Sequence, residues 1–444
     1  MRIRFAFAAS ALAITVAAPA MAQDRVQIDW WHAMGGALGE KVDEIAAGFN
    51  ASQDQYEVVP TYQGSYADTM NAAIAAFRAG EQPDIVQVFE VGTATMMSAE
   101  GAIYPVYQLM EDTGTPFDPD AYLPAVTGYY TTPEGQMLSM PFNSSTPVMY
   151  YNREIFAEAG LDPDSPPETW PEFFDAMRTI VESGAADCGF TTTWQSWIQV
   201  ENFSAWHNVP IGTQENGFAG LDTELTINNP AVVTHIQNLG DLAAEGIFQY
   251  GGRQSDSGAL FDSGTCAVTF ASSAGYAGFV ANSTFDFGIG MLPYYPDLAE
   301  GPNGGPQNSI IGGATLWVLS GATDEEYAGV AQFFSYLSSP EVQYDWHQFT
   351  GYLPITLAAY ELAQAEGLYE ERPGFDTAIN QINLNPPTAN SKGLRFGYMV
   401  QIRDIINAQL ENVWAGNSTA QEALDAAVEE SNELLRQFEE DVSG

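Results

Sequence analysis

The sequence predicts an α/β protein whose sheet is largely parallel and covered by helices. Three observations carry this. Strand-like and helix-like stretches alternate from the start of the mature chain. The apolar share of 45%, with 25 Phe, 21 Tyr and 9 Trp, is ample for packed cores. No repeat or low-complexity tether interrupts the pattern, and about 420 residues suit two domains on the usual length per domain.

Taken in order, RVQIDWW sets Val26, Ile28 and Trp30 at period two, the mark of a half-buried strand. Leu38, Val42, Ile45, Ala46 and Phe49 then recur at helical spacing. YEVVPTY is a second strand, the Ala-rich stretch from Ala67 to Phe77 a second helix, and DIVQVF a third strand. The β-α-β-α-β order implies parallel strands with ligands bound beyond their carboxyl ends, where WHAMGG, GSY and EVGTA lie. PFNSSTPVMYYNREIFAEAGL reads as loop, strand and helix, and PPETWPEFFDAMRTIVES as a helix opened by Pro166-Pro167. FDFGIGMLPYYP is a strand running into a turn, and GPNGGPQNSIIGG is the most loop-like stretch of the chain. Ile402, Ile405, Ile406, Leu410, Val413 and Trp414 form one helical face ended by Gly416-Asn417. Thr419 and Glu422 are a capping box for a last helix.

The first 22 residues have the layout of a secretory signal peptide. Arg2 and Arg4 precede an apolar run from Phe5 to Ala18, and Ala20-Met21-Ala22 supplies the cleavage site. The run is shorter than the roughly 20 residues that span a bilayer. The leader carries two arginines and no acid, so the mature chain has 11 Lys+Arg against 57 Asp+Glu, a formal charge of −46. Such a field repels nucleic acid and anionic lipid. Cys188 and Cys266, the only cysteines, are exported to an oxidising compartment, but their spacing leaves their pairing open.

Much catalytic chemistry has no support. There is no Gly-x-Ser-x-Gly elbow, neither Lys41 nor Lys392 sits in a phosphate loop, and the four histidines lack metal-ligand spacing. No cofactor and no metal are expected, and the histidines read as ordinary surface or core residues. Carboxylate pairs carry no information in a chain with 57 acids. By contrast, TTTWQSWIQVENFSAWHN sets Trp194, Trp197 and Trp206 among small polar residues, which suits a ligand platform as well as half-buried packing. SKGLRFGYMVQIR gathers Lys392, Arg395 and Arg403 in a chain poor in cations.

WHAMGGALGEKVDEIAAGFN, VFEVGTATMM, PFNSSTPVMYYN, WQSWIQVENFSAW, SIIGGATLWV, WHQFTGYLPIT and KGLRFGYMVQIR occur in this order along nearly the whole mature chain. Together they resemble the extracytoplasmic glycerol-3-phosphate-binding proteins of ABC importers. WHAMGG and GYLPIT alone indicate only the wider family of sugar-type binding proteins. The resemblance implies a two-lobe, periplasmic-binding-protein-like fold of type II with hinge crossovers. Its N-terminal lobe would take 24–142 plus 290–350 and its C-terminal lobe 143–289 plus 351–444. The hinge would lie near Phe142–Val148, Phe285–Leu292 and Tyr352–Thr356.

The resemblance also implies ligand contacts from Tyr66, Glu90, Ser145, Ser272, Gly313, Tyr352 and Arg403, with Trp194 and Trp197 lining the pocket. Ser65, Phe89, Tyr398 and Val400 depart from the family pattern around those positions. The implied protein is a periplasmic monomer, not an enzyme, that delivers glycerol-3-phosphate or a glycerophosphodiester to membrane permease subunits. Against the mature charge, an organic phosphate must be held by short-range donors, and Arg403 is the expected clamp. Glu90 is assigned to the glycerol hydroxyls, away from the phosphate. Lys392 and Arg395 are read as surface ion-pair partners of the many acids. Two other readings stay open: a receptor for a neutral oligosaccharide, which needs no Arg403, and a secreted glycosidase or phosphodiesterase, which would turn its ligand over.

Overall fold

Ten strands organise the protein, seen here in a computed structural model that describes residues 25–443 apart from Glu100 and Pro133. The expected leader lies outside those residues. The strands are β1 Val26–His32, β2 Tyr56–Tyr62, β3 Ile85–Phe89, β4 Ile103–Tyr104, β5 Met140–Ser145, β6 Pro147–Asn152, β7 Cys188–Thr192, β8 Cys266–Ser272, β9 Phe287–Gly290 and β10 Gly312–Leu319. They form two sheets, one ordered β2-β1-β3-β10-β4 with β5 also on β10, the other β7-β8-β6-β9. Among the described residues no helix is long and apolar enough to cross a membrane.

The N-terminal expectations become β1, the helix Gly36–Ser52, β2, the helix Tyr66–Ala79 and β3. β1 pairs in parallel with β2 and β3, as helical crossovers require. β10, which follows β9 of the second sheet in the chain, runs antiparallel to β3, β4 and β5. In the second sheet only β7 and β8 are parallel. Antiparallel pairings therefore outnumber parallel ones.

Three chain passes join the sheets, and they lie side by side. Only Thr146 separates β5 from β6, and its Oγ1 donates to the carbonyl of Ile310 in the second pass (3.1 Å). Leu353 of the third pass donates its N–H to the carbonyl of Ser144 (2.8 Å). PFNSS is thus a strand end rather than the expected loop, its polar side chains wholly buried. The helix expected to open at Pro166-Pro167 starts at Trp170, where Thr169 Oγ1 accepts from the Glu172 N–H and the Glu172 carboxylate accepts from the Thr169 N–H. The Thr419–Glu422 box opens the helix Ala420–Ser443 as expected.

Cys188 and Cys266 face each other in the parallel register of β7 and β8 and are disulfide-bonded, closing a loop across a separation of 78 residues. Loss of this link in a Cys188→Ser, Cys266→Ser double variant is expected to lower stability by about 2–5 kcal/mol, read in denaturant melts with and without reductant. An unchanged midpoint would show the bond to be energetically idle.

All four histidines are buried. Burial is the chief cause that pushes His32, His207 and His347 down to about 4, and His235 goes well below its ordinary value. Between pH 6.5 and 4 the unfolded chain therefore binds protons that the folded chain refuses, so stability present above that window is lost as pH falls through it. Asp84, pushed up to about 6 chiefly by burial, acts in the opposite sense. Glu90 and Asp262, also pushed up chiefly by burial, act with Asp84, but the four histidines outnumber these three, so the melting temperature should fall from pH 6.5 to pH 4. A flat or rising profile in calorimetry would contradict this.

Candidate ligand-binding cleft

A cleft of about 570 Å³ opens between the two sheets. Its wall follows from chain topology: Glu90 directly follows the end of β3, β5 ends at Ser145 and β8 at Ser272, so one strand end after another delivers a polar group to the same place. Tyr66 is the first residue of its helix, fixed by the Ser65–Asp68 capping box. Gly313 sits on β10, Tyr352 follows the helix Pro340–Thr350, and Arg403 lies on the helix Met399–Trp414. Trp194 and Trp197 close the far side, and all nine residues line the cleft. Trp206 does not. It is buried in the core, its Nε1 donating to the carbonyl of Leu292 (3.0 Å).

The charged centre differs from the expectation in a way that matters. Arg403 Nη2 donates to Glu90 (2.6 Å), and its Nε and Nη2 donate to both oxygens of Glu201 (2.7 and 2.6 Å). The three side chains are 9%, 4% and 1% exposed. Glu90 is therefore on the guanidinium, not remote from it, and the bidentate edge of Arg403 is already taken by a second acid. Nη1 alone has no hydrogen-bond partner among the described residues. Burial opposes the charge on Arg403, but Glu201 and Glu90 outweigh it and hold the guanidinium ionised. Glu90 is pushed up, first by burial, with Arg403 pulling down and the like charge of Glu201 adding to the rise. One cation between two acids is the arrangement that offsets desolvation of all three.

Neutral donors surround this centre. Ala33 donates its N–H to Gln87 Oε1 (2.7 Å), Gln87 Nε2 to Asn143 Oδ1 (2.8 Å), and Asn143 Nδ2 to the Tyr66 hydroxyl (2.8 Å). The Tyr66 hydroxyl accepts the last of these bonds and lies within hydrogen-bonding reach of the Tyr352 hydroxyl. Burial first, and then Tyr352, keeps the Tyr66 phenol protonated; burial does the same for Tyr352. Tyr66 stacks on Phe89 at 5.3 Å, and Tyr352 on Trp346 at 5.5 Å, so neither ring swings freely. Ser272 Oγ accepts from the Ala274 N–H (3.1 Å) and caps the turn that follows β8.

The tryptophan wall is held by unusual backbone. Trp194 has φ 43°, a region costly for a bulky residue, and its N–H is tied to the Gln254 carbonyl (2.8 Å). Residues Trp197–Asn202 form a π-helical turn that carries Trp197 to the cleft and Glu201 to Arg403. Glu201 was missed by the sequence reading. Its four-residue spacing from Trp197 was a signal, but one more acid among 57 does not stand out.

The other two cations of the SKGLRFGYMVQIR stretch lie outside the cleft. Lys392 pairs with Glu215 (2.6 Å), as expected. Arg395 does not pair with an acid: its Nη2 donates to the carbonyls of Tyr129 (2.9 Å) and Thr131 (3.0 Å). Burial made the backbone its partner, since Arg395 lies beneath a loop rather than on the acidic surface.

A family model described as bacterial extracellular solute-binding protein matches residues 44–377. The chain belongs to that family. It is 51% identical over 414 residues to the sn-glycerol-3-phosphate-binding periplasmic protein UgpB of Rhizobium meliloti (strain 1021), covering 93% of this chain and 95% of the relative. The protein of the same name from Yersinia pseudotuberculosis serotype I (strain IP32953) is 49% identical over 431 residues, covering 97% and 96%. Among solved structures, UgpB from Mycobacterium tuberculosis in complex with glycerophosphocholine aligns with TM-score 0.77 at 21% identity, covering 93% of this chain and 98% of that one. Maltose-bound MalE3 of T. maritima aligns with TM-score 0.72 at 17% identity, covering 91% and 98%. Both share the two-lobe α/β fold.

Proposed function

We propose that this protein captures sn-glycerol-3-phosphate in the cleft and delivers it to the permease of an ABC importer in the periplasm. The observation that carries the reading is the identity of about half of all residues, over nearly the full length, to relatives named for binding that ligand. The polar character of the cleft supports it. Arg403 offers Nη1 to a phosphate oxygen, Tyr66, Tyr352 and Ser145 supply neutral donors, and Glu90 accepts from a glycerol hydroxyl. Trp194 and Trp197 cover the apolar side. Ser272 and Gly313 complete the wall from the two sheets.

The lobes of this reading are 24–142 plus 290–350 and 143–289 plus 351–444, and they close as a monomer by bending at the adjoining chain passes. The two separate sheets and the contact of Thr146 with Ile310 support the division, except that residues 143–145 of β5 still pair with β10 in the first sheet, so the crossing falls at Thr146. Glycerophosphodiesters are a second ligand class, favoured by a cleft of about 570 Å³ that leaves room beside a glycerol phosphate. No catalytic step belongs to the reading.

Calorimetric titration of the mature protein with glycerol-3-phosphate, glycerophosphocholine and maltose tests it. Saturable binding of one or both phosphate ligands, with ligand recovered intact, is expected. Binding of maltose alone, or consumption of the ligand, would refute it.

A further inference from the structure

A second cavity, of about 320 Å³, lies behind the cleft, walled by residues 124–132, 308–311 and 387–395. Its lining includes two cations, Lys392 and Arg395, and no Asp or Glu. In a chain with 57 acids and 13 cations, that composition is the reverse of the rest of the surface. Both cations also crowd one ring: the Arg395 guanidinium lies 4.4 Å, and Lys392 Nζ 4.7 Å, from the centre of Phe218. Lys392 is compensated by Glu215 on its outer side.

Arg395 has no carboxylate within salt-bridge distance among the described residues. Its Nη2 is bound to two backbone carbonyls, and among the described residues neither its buried Nε nor its Nη1 has a hydrogen-bond partner. The guanidinium is half-buried and is met only by backbone carbonyls and the Phe218 ring, so an anion entering the cavity would find a partly desolvated cation with no acid beside it. Burial accordingly pushes the Arg395 proton affinity down. Thr131, Thr132 and Ser309 bring hydroxyl groups to the same lining.

We propose that this cavity is a second anion-binding site, distinct from the cleft, for a small oxyanion of the phosphate class held by Arg395 and Lys392. The site is separated from the cleft by a single segment. Ser309, Ile310 and Ile311 face the cavity, whereas Gly312 and Gly313 face the cleft. Trp197 Nε1, on the cleft side, donates to the Ile311 carbonyl (3.4 Å). The two sites therefore share a wall but no side chain.

The test is calorimetric titration of inorganic phosphate into the mature protein with the cleft first saturated with glycerol-3-phosphate. One phosphate per chain is expected to bind, with an affinity that falls as salt is raised. Arg395→Gln should weaken it at least tenfold and leave glycerol-3-phosphate affinity unchanged. Should Arg395→Gln fail to fold by circular dichroism, Lys392→Gln takes its place, with a loss of several-fold expected. No phosphate binding to the saturated protein, or unchanged affinity in the folded variant, overturns the proposal. Binding of succinate in place of phosphate overturns the phosphate assignment.

Discussion

Arg403→Ala is expected to weaken glycerol-3-phosphate binding by about 2–5 kcal/mol, because a buried anion would lose its charged partner. The same change strands Glu90 and Glu201 side by side in the core, and breaking a buried pair in this way costs about 3–5 kcal/mol of stability. Affinity and stability must therefore be measured together, by calorimetry and denaturant melts, at a temperature where the variant is folded. Glu201→Gln separates the two effects. It removes one negative charge from the neighbourhood of the ligand while Glu90 still pairs with Arg403. Repulsion between Glu201 and a phosphate on Nη1 would then be relieved, and affinity should rise roughly tenfold, about 1.4 kcal/mol. If Glu201→Gln instead abolishes binding, Glu201 serves to aim the guanidinium, and the charge argument fails.

That centre also shows where reading the sequence stops. Arg403 was singled out because the KGLRFGYMVQIR block carries the family resemblance, and the helix Met399–Trp414 places it in the cleft wall. The pairing with Glu201 was not, since it joins positions 202 residues apart and selects one carboxylate from 57. Arg395 failed in the other direction. A cation in an acidic chain is expected to find an acid, but Arg395 is covered by the loop that carries Tyr129 and Thr131, which supplies carbonyls instead. Gln87 could have been noticed, as a polar residue within the apolar run of DIVQVF. Its role as the link from Ala33 to Asn143 required the sheet order.

Elements with strong periodicity, such as β1 and the helix Gly36–Ser52, were legible because one face meets solvent and the other the core. β5 was not. Asn143, Ser144 and Ser145 are buried on both sides by neighbours from distant parts of the chain, so no alternation marks them. Their polar side chains suited a loop locally, and only the arrival of β10 makes them a strand. The same non-local pairing explains why an order suggesting parallel sheets gave a majority of antiparallel ladders.

The meeting of β5 and β10 is also where the smallest substitution should have a large effect. Gly313 has φ 91°, and a Cβ there would lie 1.9 Å from the Asn143 carbonyl oxygen. The obstacle is backbone, so no rotamer change relieves it, and Gly313→Ala must push β5 and β10 apart. Backbone strain and overpacking each cost about 1–3 kcal/mol, and a combined loss of roughly 3 kcal/mol is expected. Asn143 carries the hydrogen bond to Tyr66, so the displacement reaches the cleft, and glycerol-3-phosphate affinity should fall at least tenfold. Gly416→Ala is the control. Gly416 also has positive φ (70°), but nothing lies within 4 Å of its would-be Cβ, so only conformational strain of about 1 kcal/mol is expected there. Equal losses in the two variants would mean that the contact with Asn143 does not matter, and that the wall shared by the two sheets is softer than its geometry implies.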